Sequence, residues 1–170
     1  MNVKRCSHVI GLCALLISVL ALTGCPVRDA GNDQKQSAEK ASAGKVWTDD
    51  IDGAFKFAAE SGKPVFIDFT GSDWCGWCKL ADSNIFSTQA WADFADEVVC
   101  LKVDFPQRGR PDAAAMQKRE DLAKTFGVEG FPTLILATAE RKEIARFTAG
   151  RKKAADFIAE VRKALPPAAK

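Results

Sequence analysis

The stretch Trp74-Cys75-Gly76-Trp77-Cys78-Lys79 holds two thiols separated by two residues, and it follows the apolar run Pro64-Val65-Phe66-Ile67-Asp68-Phe69. That order predicts a strand that ends just before a helix begins, with Cys75 at the helix start. Unpaired backbone N–H groups and the positive end of the helix dipole favour thiolate over thiol there. Cys75 is therefore the candidate nucleophile. One helical turn returns Cys78 to its side, near enough to close a small disulfide ring after attack on a substrate disulfide. Cys78 is the candidate resolving thiol.

Two other readings of the pair stand beside this one. A zinc half-site needs a second pair of Cys or His ligands, and the only histidine is His8, in a segment expected to be removed. A purely structural bridge fits an oxidising compartment, but closing so short a loop removes little entropy from the unfolded chain.

Residues 1–24 have the pattern of an export signal, with Lys4 and Arg5 followed by an almost unbroken apolar run over residues 9–22. The run is too short for a comfortable membrane span. It ends in Leu22-Thr23-Gly24-Cys25, which resembles the lipobox of bacterial lipoproteins, and this resemblance implies cleavage before Cys25 with lipid on its sulfur. An uncleaved N-terminal anchor is the alternative. After cleavage, Cys6, Cys13 and His8 are gone and Cys25 is blocked, so Cys75, Cys78 and Cys100 remain as thiols. Without histidine, Ser-His and Cys-His nucleophile pairs are excluded, as are imidazole metal ligands.

The full chain has 24 Lys and Arg against 22 Asp and Glu, and loss of Lys4 and Arg5 leaves the two signs balanced. Such a chain has no electrostatic footprint for nucleic acid. Membrane attachment is expected through the lipid at the periplasmic face of a bacterial membrane. Residues 25–45 hold almost no large apolar side chain and are expected to form a flexible tether, with a root-mean-square reach of about 25 Å.

Residues 46–170 are enough for one domain. Thr48 is the expected N-cap of a helix carrying Ile51, Ala54, Phe55 and Ala58, stopped by Gly62 and Pro64. Strands are expected over residues 65–69 and 98–105, with short helical packing around Ile85, Phe86, Trp91 and Phe94 between them. A helix over 112–126 is followed by a hairpin of 133–138 and 143–148, and a helix over 154–165 closes the chain. Alternating strands and helices with a terminal hairpin predict an α/β domain whose central mixed sheet is flanked by helices.

Asp68 before the dithiol, Trp-Cys-x-x-Cys-Lys at 74–79, and Gly127-Val128-Glu129-Gly130-Phe131-Pro132-Thr133 before the hairpin together resemble the thioredoxin superfamily across residues 46–165. The phrase Phe69-Thr70-Gly71-Ser72-Asp73-Trp74-Cys75 is similar to the exported disulfide reductases of the DsbH type and to the C-terminal domain of DsbD. The resemblance implies a thioredoxin-like fold and a cis proline at Pro132. It further implies a substrate groove lined by Phe131 and Pro132, and a buried Asp68 that helps deprotonate Cys78. One extra residue separates Asp68 from the first cysteine relative to thioredoxin. Trp74 and Trp77 offer apolar surface to a partner peptide, and Lys79 places a cation near the dithiol. Cys100, in Val98-Val99-Cys100-Leu101, is expected to be buried and inert. Arg108 and Arg110, in a segment longer than the matching connection in thioredoxin, are expected to be solvated surface, with a partner-specific loop as the alternative.

These features predict a disulfide reductase for exported proteins. It would need no cofactor or metal and would be recharged by a membrane electron donor of the DsbD kind. No dimerisation segment is apparent, so a monomer is expected. An oxidase or isomerase, and a non-catalytic lipoprotein that only holds partners, are the alternatives.

Overall fold

The computed structural model describes residues 46–167, so the expected signal segment, Cys25 and the whole expected tether lie outside the described residues. Strand β1 (Trp47–Thr48) leads into helix α1 (Ile51–Ser61), then β2 (Val65–Thr70) and α2 (Gly76–Ala81), which runs on as a π-helical turn over Asp82–Phe86. Helix α3 (Gln89–Phe94), β3 (Val99–Asp104), α4 (Ala113–Thr125), β4 (Thr133–Ala137), β5 (Glu143–Phe147) and α5 (Ala154–Ala164) follow.

The start of α1 corrects the sequence reading. Thr48 lies in β1, and its hydroxyl accepts the Asp50 N–H. The N-cap is Asp50, whose carboxylate accepts the Gly53 N–H at 3.1 Å and so satisfies one of the first-turn donors. Helix α1 ends at Gly62, in the left-handed region at φ 70°, where a side chain would be strained.

The strands form one sheet in the order β1-β3-β2-β4-β5. Strands β1, β3 and β2 run parallel, β4 runs antiparallel to β2, and β5 antiparallel to β4 with a bulge between Leu136 and Ala137. Period-two alternation along β2 sends Val65, Ile67 and Phe69 to one face and Phe66 to the other. The first face packs on Ile51, Ala54, Phe55 and Ala58 of α1 and on Leu122 of α4. The second packs on Ala81, Ile85, Trp91, Phe94, Phe157 and Val161, from α2, its π-helical turn, α3 and α5. Burying a side chain such as Phe66 contributes about 2–3 kcal/mol. Covering by helices on both faces explains why β2 is buried along its whole length and reads as a continuous apolar run. Among the described residues no helix is long and apolar enough to cross a membrane.

The topology makes the site. Because β4 runs against β2, the first residue of β4 meets the end of β2, with Phe69 paired to Thr133. Three connections therefore meet at one end of the three inner strands: the loop after β2, the loop after β3 and the loop before β4.

Candidate active site

Cys75 and Cys78 are joined in a disulfide with their Cα atoms 5.2 Å apart. Cys75 is the N-cap of α2, in extended backbone conformation, and its sulfur accepts the Cys78 N–H at 3.1 Å. A backbone donor aimed at Sγ stabilises negative charge there, so opening the disulfide leaves Cys75 well placed to be the thiolate. Both sulfur-bearing residues are largely buried, Cys75 slightly less than Cys78.

The loop before β4 comes up against this sulfur. The Phe131–Pro132 peptide is cis, and the Phe131 carbonyl oxygen lies 3.7 Å from Cys75 Sγ. The Phe131 ring meets Trp74 edge to face at 5.8 Å and stacks on Phe105 at 5.1 Å. Trp74 also donates its indole N–H to the Phe105 carbonyl at 2.8 Å. Gly71 lets the indole close down over the loop, since a Cβ at that position would run into the ring. Trp74 and Trp77 remain 43% and 55% exposed beside the disulfide. The structure thus brings Trp74, Cys75, Cys78, Phe131 and Pro132 together, with Trp77 on the outer side of α2.

Asp68 is 3% exposed. It shares a face of β2 with Phe66, and therefore with α2, and its Oδ1 has no hydrogen-bond partner among the described residues. Burial pushes its carboxyl up to about 7, an effect strengthened by Asp82 and Asp104 and opposed by Lys102. Among the described residues no hydrogen bond links Asp68 to Cys78, so any exchange of protons between them needs a mediator or a movement. Lys79 lies in α2, directly after Cys78. Its ammonium is hydrogen-bonded to the Asp73 carbonyl at 2.9 Å, so its visible work is to hold the loop that carries Trp74. Cys100 is a buried free thiol, pushed up to about 12 by desolvation, which matches its reading as inert.

Sequence reasoning missed a set of residues that join the dithiol loop to the connection after β3. Ser72 gives its N–H and its hydroxyl to the Asp104 carboxylate at 2.8 and 2.5 Å. The Asp73 carboxylate accepts the N–H groups of Gln107 and Arg108 at 3.0 and 2.9 Å, and these bonds hold it below the usual carboxylate range. The buried Arg119 of α4 donates to the Asp104 carbonyl at 2.5 Å. The signal available in the sequence was the pair of prolines and the glycine in residues 106–111, which mark a constrained turn.

The thioredoxin-like family model matches residues 46–139. The disulfide bond reductase DsbH of Chlamydia pneumoniae is 31% identical over 150 residues, covering 86% of this chain and 90% of that protein. The thiol:disulfide interchange protein DsbD of Ralstonia nicotianae is 27% identical over 95% of this chain but only 27% of its own length. Among solved structures, a DsbH oxidoreductase superposes with a TM-score of 0.66 at 31% identity, covering 69% of this chain and 82% of that one. The reduced DsbD C-terminal domain of Neisseria meningitidis shares the fold, with a TM-score of 0.51 at 20% identity over 75% of this chain and 95% of that one. With a CxxC disulfide at the start of α2 and these relatives, the chain belongs to the thioredoxin-like family, as a thiol:disulfide oxidoreductase of the DsbH and DsbD type.

Proposed function

We propose that the protein is a lipid-anchored, periplasmic disulfide reductase. The observation that carries the catalytic assignment is the position of Cys75, whose sulfur caps α2 and faces the Phe131 carbonyl. In the reduced protein, the Cys75 thiolate attacks one sulfur of a substrate disulfide, forming a mixed disulfide and releasing the other substrate sulfur as a thiolate. Cys78 then loses its proton and attacks Cys75 Sγ, which frees the second substrate sulfur and leaves the Cys75–Cys78 disulfide. Two electrons pass to the substrate, and its thiolates take up two protons. Asp68, with a carboxyl that titrates near neutrality, is the acceptor for the Cys78 proton. Phe131 and Pro132 present backbone to an extended substrate segment, and Trp74 and Trp77 receive its apolar side chains. Lys79 positions the loop through Asp73.

The reductase direction is supported by the name of the DsbH relative, and the export route by the Lys4-Arg5 start, the apolar run and Leu22-Thr23-Gly24-Cys25. Residues 25–45 serve as the tether, disulfide-containing exported proteins are the substrates, and a DsbD-type membrane donor restores the dithiol. The equilibrium reduction potential of Cys75/Cys78, followed by tryptophan fluorescence in a dithiothreitol or glutathione buffer, tests the direction. A value near about −270 mV supports the reductase, and one near about −120 mV makes the protein an oxidant. Trapping of substrate proteins by Cys78→Ser, and its loss when Cys75→Ser is added, tests the assignment of the two thiols. Loss of lipid labelling in Cys25→Ala tests the anchor.

A further inference from the structure

The connection after β3 runs Phe105-Pro106-Gln107-Arg108-Gly109-Arg110-Pro111. Proline at both ends fixes two φ angles, and Gly109 turns the chain in the left-handed region at φ 61°. The Asp73 carboxylate holds the N–H groups of Gln107 and Arg108, and Arg110 Nε donates to the Pro106 carbonyl at 3.3 Å, bracing the turn from within. Asp73 is two residues from Cys75, so the bonds that hold this turn also hold it at the dithiol.

The charges in the turn are unevenly used. Asp104 spends its carboxylate on Ser72 and Asp73 spends its own on backbone N–H groups, both inward. Arg108 approaches Asp73 only through Nε, at 3.9 Å, and its side chain is 89% exposed. Among the described residues, no acceptor lies within hydrogen-bond distance of the terminal nitrogens of Arg108 or Arg110. Two guanidinium forks therefore stand out from a braced turn that starts at Phe105, whose ring stacks on Phe131 and whose carbonyl accepts the indole N–H of Trp74, the residue before Cys75. Guanidinium groups match carboxylates in bidentate geometry, and bracing lowers the ordering cost of using them.

Building on the reading of the dithiol as a reductase of peptide disulfides, we infer that Arg108 and Arg110 form a specificity surface for acidic residues flanking the substrate disulfide. The turn's attachment to the dithiol loop favours a peptide already held at Cys75 over a membrane headgroup.

The test uses the full-length chain in detergent micelles and two synthetic peptides with one internal disulfide each, one flanked by Asp and Glu, the other by Lys. Reduction of the acidic peptide is expected to have a kcat/KM about fivefold higher at low ionic strength, from two exposed ion pairs. The difference should narrow as added salt screens the charges. The charge-reversed variant R108E/R110E should invert the preference while keeping the reduction potential of the dithiol. Equal rates for the two peptides, or the same preference in R108E/R110E, overturn the inference and leave the reductase reading intact. Turnover of neither peptide sinks the reductase reading, and this inference with it. Binding of the protein to phosphatidylglycerol vesicles that R108E/R110E abolishes, without any peptide preference, assigns the pair to the membrane and overturns the inference.

Discussion

Asp68 and Lys102 sit directly opposite each other in the β2–β3 ladder, yet the Lys102 ammonium goes to Asp82 at 3.3 Å and Asp68 Oδ1 is left without a partner. The sheet thus places a cation beside the buried carboxyl and then commits it to the π-helical turn. Lys102 still lowers the Asp68 pKa, but desolvation outweighs it.

Stability should follow. A carboxyl raised from 3.8 to about 7 in the folded state favours folding fully below about pH 3.8. That contribution is lost progressively as pH rises to about 7, and the gap corresponds to roughly 4 kcal/mol. Asp68→Asn should therefore raise the urea midpoint strongly at pH 8.5 and little at pH 4.5. An equal effect at the two pH values would sink this account of Asp68.

Gly71→Ala should push the Trp74 indole away from the loop, because the new Cβ would meet its ring. The expected result is a loss of the Trp74 bond to the Phe105 carbonyl, worth about 1 kcal/mol, with altered tryptophan fluorescence and slower turnover of protein disulfides. Unchanged fluorescence would show that the ring has room to spare.

Arg119 is a buried cation that serves the Asp104 carbonyl and lies 3.6 Å from the exposed Asp49. Arg119→Ala leaves that carbonyl without its charged donor and should cost about 2 kcal/mol, read as a lower Tm. Hydrogen exchange in residues 105–110 should quicken in the same variant, whereas exchange confined to α4 would mean that Arg119 supports only its own helix.

Cys100 should resist alkylation in the native protein and react once it is unfolded, since burial raises its thiol to about 12. Cys100→Ser should leave the Cys75/Cys78 potential unchanged. Peptide-resolved mass spectrometry after alkylation decides the first point, and rapid native labelling would overturn it.

What the sequence disclosed was local chemistry. Pro64 and the run Val65-Phe66-Ile67 mark a buried strand, and the helix expected over 112–126 appears as Ala113–Thr125 with Asp112 as its N-cap. The dithiol needed only its own neighbourhood, whereas the cis Phe131–Pro132 bond was implied only by the resemblance to the thioredoxin superfamily. Strand β1 is two residues long and exists through its pairing with Cys100 and Leu101, so no periodicity could announce it. The choice of Asp50 over Thr48 as N-cap depends on where that pairing ends. Asp73 reaches Gln107 and Arg108 across 34 and 35 positions of sequence, and a single sequence carries no sign of such a contact. Lys79 reads in the sequence as a cation near the thiols, and its bond to the Asp73 carbonyl is a further contact that adjacency alone does not announce.

The reversed direction of β4 has one more consequence. The chemistry is set by two short segments that the sheet fixes, the start of α2 and the turn into β4, whereas the stretch after β3 leaves the sheet before it arrives at the site. Its length and composition can change without altering any strand register. If the inference drawn for Arg108 and Arg110 holds, their side chains can be exchanged to alter substrate preference while the backbone bonds of Gln107 and Arg108 to Asp73 keep the dithiol loop in place. A graft of residues 105–112 onto a related scaffold must therefore carry Asp73 and Trp74 with it.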